Sequence, residues 1–470
     1  MSQTELNTGL NRAPQAIRKK TAAMGQASVL KLLIRFSGPS ILSMAVAAGY
    51  TVVDAIFIGW LGPEALGALP VVFPPILVYM AVSMGTGVGA ASFISRSLGA
   101  GNHAAANRCA GAAITLAILI GGLAGIVCLS NLVSILHFFG AGAEVLPPAK
   151  RYMATLATFA CLHSTVIVVA NLIRAEGSPL IAGTALIVAT IANIILDPIL
   201  IFGWGPIPRL EVAGAALATV IGHGIAVSIF LYYFISGRSD YKFALGHFLP
   251  NRRIITEIYR VGCASIFRMG ALAAVMTLAN TVAASFGVIP LAVLGVVFRL
   301  ARLAFMPTMG LGQGMQPLVG FNFGAQQKDR VGEVVVKAGL LGLGWGLFCW
   351  LIFMLFPTQV MSAFNSDPRF IAEGARTLRI FVLLFFAVQL QILVSFFFQG
   401  IGKAIPSLIL ASARQVIFLI PGLLILPRLF GVEGLWIAFP VADILSMLLT
   451  FIWIGIEFRN QGMPLQLRYA

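Results

Sequence analysis

Twelve long apolar runs, separated by short polar connections, restrict what this chain can fold into. A helix that crosses a bilayer needs about 20 apolar residues. The runs lie at residues 36–60, 66–95, 108–136, 151–173, 179–203, 212–236, 261–286, 290–318, 332–356, 373–398, 404–427 and 434–456. Only 10% of the residues are charged, against about 25% in soluble proteins. We therefore predict an all-α polytopic membrane protein with twelve transmembrane helices.

The longest polar connection divides these spans into two groups of six. We predict a first lobe over residues 36–236 and a second lobe over 261–458, with a cytoplasmic linker at 237–260 and cytoplasmic tails at 1–35 and 459–470. If the N-terminus is inside, 21 of the 31 lysines and arginines fall in cytoplasmic segments and 7 in external ones. Because basic residues concentrate on the cytoplasmic side, this split predicts that both termini are cytoplasmic.

The two groups of spans repeat each other. SMGTGVGAASFISRSLGA (83–100) aligns without gaps to TMGLGQGMQPLVGFNFGA (308–325) at an offset of 225, with Gly99 and Gly324 among the identical pairs. Six spans per lobe is an even number, so both lobes have the same orientation and are related by pseudo-two-fold symmetry about an axis along the membrane normal. Internal repeats of this kind are typical of transporters, whose substrate site lies near the bilayer midplane between the repeats.

Other functional classes fit the sequence poorly. The net charge of +15 is scattered between apolar runs and forms no basic stripe, so we expect no nucleic-acid partner. The five cysteines lie in or beside apolar runs without metal-ligand spacing, and we interpret them as packing residues. No HExxH, GxSxG or paired catalytic His/Asp motif lies within a span, so we predict neither an enzyme nor a cofactor.

Two acids lie inside apolar spans of the first lobe, where an ionisable side chain costs roughly 2.5–3.5 kcal/mol. Asp54 and Asp197 each lie six residues before the outer end of a span, at roughly 9 Å depth. Tyr50 and Asn193 lie one turn below them on the same helix faces, and Thr219 lies roughly 12 Å into the sixth span. No lysine or arginine lies at this depth in the first lobe. We predict that these five residues form a cation-coupling site.

Two coupling ions fit such a site. Neighbouring carboxylates ionise together only with difficulty in a low dielectric, so one of them can hold a proton. Alternatively, the oxygens of Asp54, Asp197, Asn193 and Thr219 are hard ligands suited to Na⁺. Pro198 removes the amide donor of the carbonyl at residue 194 and predicts a helix kink beside Asp197.

The second lobe lacks this set of side chains. At the repeat offset Asp54 becomes Ala279, and the lobe instead contains Arg268, Arg299, Arg302, Arg414 and Asp443. Asp443 and Arg299 lie at similar depth, which predicts a structural ion pair ahead of a second coupling site. His163 and His223 lie mid-span in the first lobe and are either proton relays or satisfied interior histidines.

Three stretches together resemble the multidrug and toxic compound extrusion (MATE) transporters: VVDAIFIGWLGPEALGAL (52–69), NLIRAEGSPLIAGTALIVATIANIILDPILIFG (171–203) with GAALATVIG (214–222), and MGLGQGMQPLVGFNFGAQQKDRV (309–331). The resemblance covers about residues 30–458 and is strongest to the DinF-like and MepA-like branch. It implies two six-helix lobes around a V-shaped cavity, the export of drugs in exchange for H⁺ or Na⁺, and coupling roles for Asp54, Asp197, Asn193, Thr219 and Tyr50.

We therefore expect a secondary active multidrug exporter that moves amphiphilic or cationic compounds by alternating access. We expect it to be a monomer surrounded by lipid in the inner membrane of a bacterium. The alternative is a flippase for lipids or polysaccharide precursors, because Arg268, Arg299 and Arg302 could bind phosphate groups.

Overall fold

The computed structural model describes residues 23–462, which are almost entirely helical. The first half contains α1 (Val29–Gly59), α2 (Pro63–Gly99), α3 (His103–Ser130), α4 (Leu132–Phe138), α5 (Leu146–Thr158), α6 (Ala160–Ala175), α7 (Pro179–Phe202) and α8 (Val212–Ile235). The second half contains α9 (Arg252–Ser285), α10 (Val288–Gly324), α11 (Lys328–Leu355), α12 (Pro357–Ser362), α13 (Pro368–Phe381), α14 (Phe385–Gly400), α15 (Ala404–Ser412), α16 (Ile420–Phe430) and α17 (Val432–Gln461). A π-helical segment, Ala413–Leu419, joins α15 to α16.

These helices confirm the all-α membrane fold. Ten helices in residues 23–462 are long and apolar enough to cross a bilayer, with α15, the π-helical segment and α16 taken as one. Two bent helix pairs raise the number to as many as twelve. Most of each predicted cytoplasmic tail, namely residues 1–22 and 463–470, lies outside the described residues. Helix α1 begins at Val29 and α17 ends at Gln461.

The two bent pairs are the fourth and tenth spans, which the sequence predicts as continuous. Helices α5 and α6 meet at 55°, and α13 and α14 meet at 48°. Helix α6 begins at Ala160 and α14 at Phe385, 225 residues apart, which is the offset of the glycine repeat. The break is therefore a property of the repeat. Neither break contains the proline or glycine that would have indicated it.

Packing between helices follows the same symmetry. Within the first lobe α7 packs on α1 and α8, and within the second lobe α9 packs on α15 and α16 packs on α17. The lobes meet through α2 with α9 and α1 with α10, which are repeat-equivalent pairs, and through α2 with α10.

The lobes approach each other closely where α2 crosses α10. A Cβ atom added at Gly99 would lie 2.0 Å from the carbonyl oxygen of Phe321, and one added at Gly324 would lie 2.0 Å from the carbonyl oxygen of Arg96. Arg96 and Phe321 are themselves 225 residues apart, so the two contacts are equivalent and the pseudo-two-fold axis passes between them. Only glycine allows backbones to approach this closely.

Further contacts hold the lobes together on one side of the molecule. This side carries the start of α1, the ends of α2 and α10, and the start of α9, and we call it the termini face. We call this set of contacts the termini-side seal. It comprises hydrogen bonds from Ser37 Oγ to the Leu311 carbonyl (3.4 Å), from Gln316 Nε2 to the Val88 carbonyl (3.0 Å), between the hydroxyls of Thr86 and Tyr259 (3.1 Å) and from Ser92 Oγ to the Gln399 carbonyl, and the ion pair of Arg96 with Glu257 (3.9 Å). The lobes are therefore closed on the termini face.

The connection between the lobes also docks on the termini face. Glu176, which follows α6, is buried, and its Oε2 accepts hydrogen bonds from Ser239 Oγ (2.7 Å) and the Asp240 amide (3.0 Å). The Tyr241 hydroxyl donates to the Leu172 carbonyl at 2.7 Å. Burial raises the pKa of Glu176 to about 7. The linker is thus fixed to the first lobe by a carboxyl group whose protonation depends on pH near neutrality.

Candidate functional site

Three helices of the first lobe bring four of the five predicted coupling residues into one hydrogen-bonded group. The Tyr50 hydroxyl of α1 lies 3.1 Å from Thr219 Oγ1 of α8. Asn193 Nδ2 of α7 donates to Thr219 Oγ1 at 3.3 Å and to Asp197 Oδ1 at 3.5 Å. These four side chains therefore lie together in the structure, as their depth and one-turn spacing predict.

Asp54, the fifth residue, is buried with only 6% exposure. Its carboxyl group lies close enough to Asp197 for the two to interact electrostatically. No lysine or arginine among the described residues forms an ion pair with either acid. The two acids therefore face each other's charge without a basic partner.

Three buried oxygens of this group have no hydrogen-bond partner among the described residues: Asp54 Oδ1, Asn193 Oδ1 and Asp197 Oδ2. A buried polar atom without a partner is costly. Carboxylate and amide oxygens are acceptors only, so a donor hydrogen, such as that of water or of a protonated carboxyl group, or a cation satisfies them. We refer to Tyr50, Asp54, Asn193, Asp197 and Thr219 as the acidic site.

The acidic site fits a small hard cation as well as a proton. Carboxylate, amide carbonyl and hydroxyl oxygens are the ligands that hard cations prefer. The part of the chain that the structure describes contains no group of three His, Cys, Asp or Glu side chains able to hold a metal ion. A cation here would be held by the two carboxylates together with the neutral oxygens of Asn193 and Thr219, which are hard ligands suited to Na⁺.

Small residues allow α7 and α8 to close around the site. A Cβ atom at Gly214 would lie 2.3 Å from the Leu200 carbonyl oxygen, and one at Gly222 would lie 2.8 Å from the Ala189 carbonyl oxygen. Helix α7 runs unbroken through Pro198. Since proline has no amide hydrogen, the carbonyl of Ile194 still lacks its helical donor. The predicted kink at this position stays a prediction.

The two mid-span histidines contact each other. The rings of His163 and His223 stack with centroids 4.5 Å apart, and the Tyr79 hydroxyl lies 2.8 Å from His163 Nδ1. His223 follows Thr219 by one turn of α8, so this pair adjoins the acidic site. A proton-relay role for this pair stays a prediction.

The predicted partner of Asp443 was wrong. Asp443 pairs with Arg414, whose Nε donates to Oδ1 at 2.5 Å, and Arg299 forms no ion pair with a described residue. Asp443 lies on α17, which packs against the π-helical segment that carries Arg414. Depth along separate helices indicates height in the membrane, but it does not indicate which helices are neighbours.

Tyr152, a buried residue of α5, was not predicted from the sequence. It interacts electrostatically with Asp54, Tyr50 and Asp197, so the broken fourth span contributes to the surroundings of the acidic site. Tyr152 lies near the outer end of its span, and nothing else in the local sequence distinguishes it.

Comparisons with known proteins agree with this architecture. The profile of the MatE family matches residues 39–199 and again residues 264–424, two stretches separated by the repeat offset of 225. The chain is 26% identical over 434 residues to the multidrug export protein MepA of Staphylococcus haemolyticus, covering 91% of this chain and 94% of that protein. It is 26% identical over 422 residues to MepA of Staphylococcus aureus strain MRSA252, covering 89% and 92%.

Solved structures are similar over almost the whole chain. A multidrug resistance MATE family transporter of the MOP superfamily in an outward-facing conformation has a TM-score of 0.87 at 25% identity, covering 96% of this chain and 99% of that one. A MATE crystal structure in the straight conformation has a TM-score of 0.88 at 25% identity, covering 96% and 100%. With the repeated profile match, these similarities show that this integral membrane protein belongs to the MatE family of MATE transporters, which are not enzymes.

Proposed function

We propose that this protein is a secondary active exporter that exchanges amphiphilic or cationic organic compounds for H⁺ or Na⁺ by alternating access. The observation that carries the proposal is the acidic site, in which three buried oxygens of Asp54, Asn193 and Asp197 lack a hydrogen-bond partner within residues 23–462. The MepA relatives, which are multidrug export proteins, support an organic substrate.

Ion binding at the acidic site would act on α1. A proton arriving at Asp54 or Asp197 removes a negative charge and converts an acceptor oxygen into a donor. Na⁺ would instead draw the free oxygens toward a common centre. Either event changes how α1, which carries Tyr50 and Asp54, is held against α7 and α8.

The same helix reaches the termini-side seal. Ser37, more than three turns before Tyr50 on α1, donates a hydrogen bond to the Leu311 carbonyl of the second lobe. A change in how α1 packs at the acidic site therefore acts directly on a contact that closes the termini face. This gives a physical route by which ion binding selects between conformations.

The test is efflux from proteoliposomes loaded either with the cationic dye ethidium or with the anionic amphiphile anilinonaphthalene sulfonate, with the pH gradient and the Na⁺ gradient imposed separately. We expect one gradient to stimulate wild-type efflux, and Asp54→Asn and Asp197→Asn each to abolish that stimulation. Glu64→Gln is the matched control, because Glu64 is an exposed acid in the first turn of α2. Stimulated efflux by either Asn variant would remove that acid from the coupling role, and absence of stimulation in the wild type would contradict the exporter.

We further propose that the termini face is cytoplasmic, as the distribution of lysine and arginine predicts, and that the linker and both tails lie there. Labelling of the Ala104→Cys variant with a membrane-impermeant maleimide tests this orientation, because Ala104 is exposed near the start of α3. Labelling only after permeabilisation of the cells supports a cytoplasmic termini face, and labelling of intact cells shows that this face is external.

A further inference from the structure

Two arginines of the second lobe lie exposed in the middle of a transmembrane helix. Arg299 and Arg302 lie on α10, 11 and 14 residues after its first residue, Val288, or roughly 16 and 21 Å along its axis. Both are exposed, and neither forms an ion pair or hydrogen bond with a residue in 23–462. An arginine facing lipid at this depth is strongly disfavoured, so an exposed one is expected to face water inside the protein.

The register of α10 shows which way these arginines face. Residues 11 apart on a helix are three turns apart on nearly the same face. Arg299 therefore shares a face with Gly310, where an added Cβ would lie 2.5 Å from Ile41 of the first lobe. Arg302 likewise shares a face with Gln313, whose Nε2 lies 4.0 Å from Met44 Sδ of the first lobe. Both arginines thus face the first lobe, on the side of the seal that lies away from the termini face.

The two lobes consequently present opposite charges. Within its spans the first lobe carries the unpaired oxygens of Asp54 and Asp197, and no basic residue lies at their depth. In the second lobe Asp443 is already paired with Arg414, so it does not neutralise Arg299 or Arg302. Arg268 adds a third guanidinium, which lies 5.2 Å above the Phe396 ring and whose Nη1 is buried without a partner.

We propose that Arg299 and Arg302 form an anion-binding wall in the cavity between the lobes, and that the transported amphiphile carries a carboxylate, sulfonate or phosphate group. The proposal rests on the exporter function only in taking that cavity as the substrate site. Guanidinium groups bind oxyanions through paired hydrogen bonds. The substrate would place its anionic group on the second lobe and its apolar body between the lobes, so anionic and zwitterionic compounds are preferred to simple cations.

The experiment measures binding to the full-length protein in nanodiscs of neutral phosphatidylcholine, with no ion gradient. The probes are the anionic dye anilinonaphthalene sulfonate and the cationic dye ethidium, each corrected for nanodiscs without protein. We expect the double variant Arg299→Gln/Arg302→Gln to weaken binding of the anionic dye by about tenfold or more. The double variant Arg299→Lys/Arg302→Lys should retain most of the affinity because it keeps the charge.

Arg428→Gln is the matched control, since Arg428 is an exposed arginine at the far end of α16. Unchanged affinity of the anionic dye in the Gln double variant overturns the proposal, as does equal weakening by Arg428→Gln or wild-type preference for ethidium. Competition by naphthoate or by short-chain phosphatidylglycerol then identifies the source of the anionic group, a free organic acid or a lipid. Displacement of the dye by neither compound also overturns the proposal.

This result is separable from the exporter function. Dye binding is measured without a gradient, so its dependence on Arg299 and Arg302 is determined separately from gradient-stimulated efflux. Loss of gradient-stimulated efflux with intact Arg-dependent dye binding upholds the anionic wall. Normal coupled efflux together with dye binding that does not depend on Arg299 and Arg302 rejects the anion-binding wall but not the exporter function.

Discussion

Replacing Gly99 or Gly324 with alanine should prevent the termini face from closing. The added Cβ would lie 2.0 Å from a carbonyl oxygen of the other lobe, about 1.4 Å short of the 3.4 Å at which ordinary van der Waals contact begins. The opposing atom belongs to backbone, so no side chain can rotate away. Overpacking of this kind typically costs about 1–3 kcal/mol, which corresponds to roughly a 5–150-fold change in the ratio of closed to open states.

The assay is the distance between spin labels at Ala104→Cys and Lys328→Cys, on the termini ends of α3 and α11, in a protein without its native cysteines. Both alanine variants should broaden or lengthen this distance, and because the two contacts are repeat-equivalent the effects should be similar. Gly344→Ala is the control, since an added Cβ there meets nothing within 4 Å. Unchanged distances in both variants, or an equal change in the control, would refute the reasoning.

Three further outcomes are expected. Ala279→Asp should not restore coupled efflux to Asp54→Asn, because the second lobe lacks the other oxygen ligands and the new charge would be isolated. Pro198→Ala should slow efflux, because the restored hydrogen bond to the Ile194 carbonyl favours one helix shape, while bound ions still protect Asp197 from carbodiimide. Unchanged efflux, or loss of the protection together with efflux, would show that Pro198 is not a hinge between two shapes of α7. Burial raises the pKa of Glu176 to about 7 from 4.5, so its contribution to stability is complete below about pH 4.5 and is lost as the pH rises through 7. Thermal unfolding of Glu176→Gln should accordingly vary less between pH 5 and 8 than that of the wild type, and an equal pH dependence would contradict this role.

Helical geometry explains how much of the structure could be predicted. Span length follows from bilayer thickness, and the repeat is visible because close helix crossings demand glycine at fixed positions. The height and helix face of Tyr50, Asn193, Asp197 and Thr219 follow from the sequence, whereas their meeting also depends on the packing of α1 and α8 against α7. The coupling role of that group stays a prediction.

What was missed depends on relations between helices. Asp443 was matched to Arg299 by height, but the neighbour of α17 is the π-helical segment with Arg414. The breaks before Ala160 and Phe385 carry no proline or glycine signal, and the position of Tyr152 beside the acidic site depends on how α5 packs against the other helices. The exposed position of Arg299 and Arg302 likewise becomes clear only once Gly310 and Gln313 show which face of α10 meets the first lobe.

The symmetry of the crossing of α2 and α10 at Gly99 and Gly324 has a consequence for how the two halves of this chain recognise each other during biosynthesis. Each half presents the same glycine crossing, as in a two-fold symmetric dimer, so two first halves could pair through it. The ion pair of Arg96 with Glu257 breaks this equivalence, because the residue 225 positions before Glu257 is Leu32, which is apolar. A pairing of two first halves would place Arg96 opposite leucine, whereas the correct pairing gives it a carboxylate. This charged contact beside a symmetric glycine crossing thus favours assembly of unlike halves.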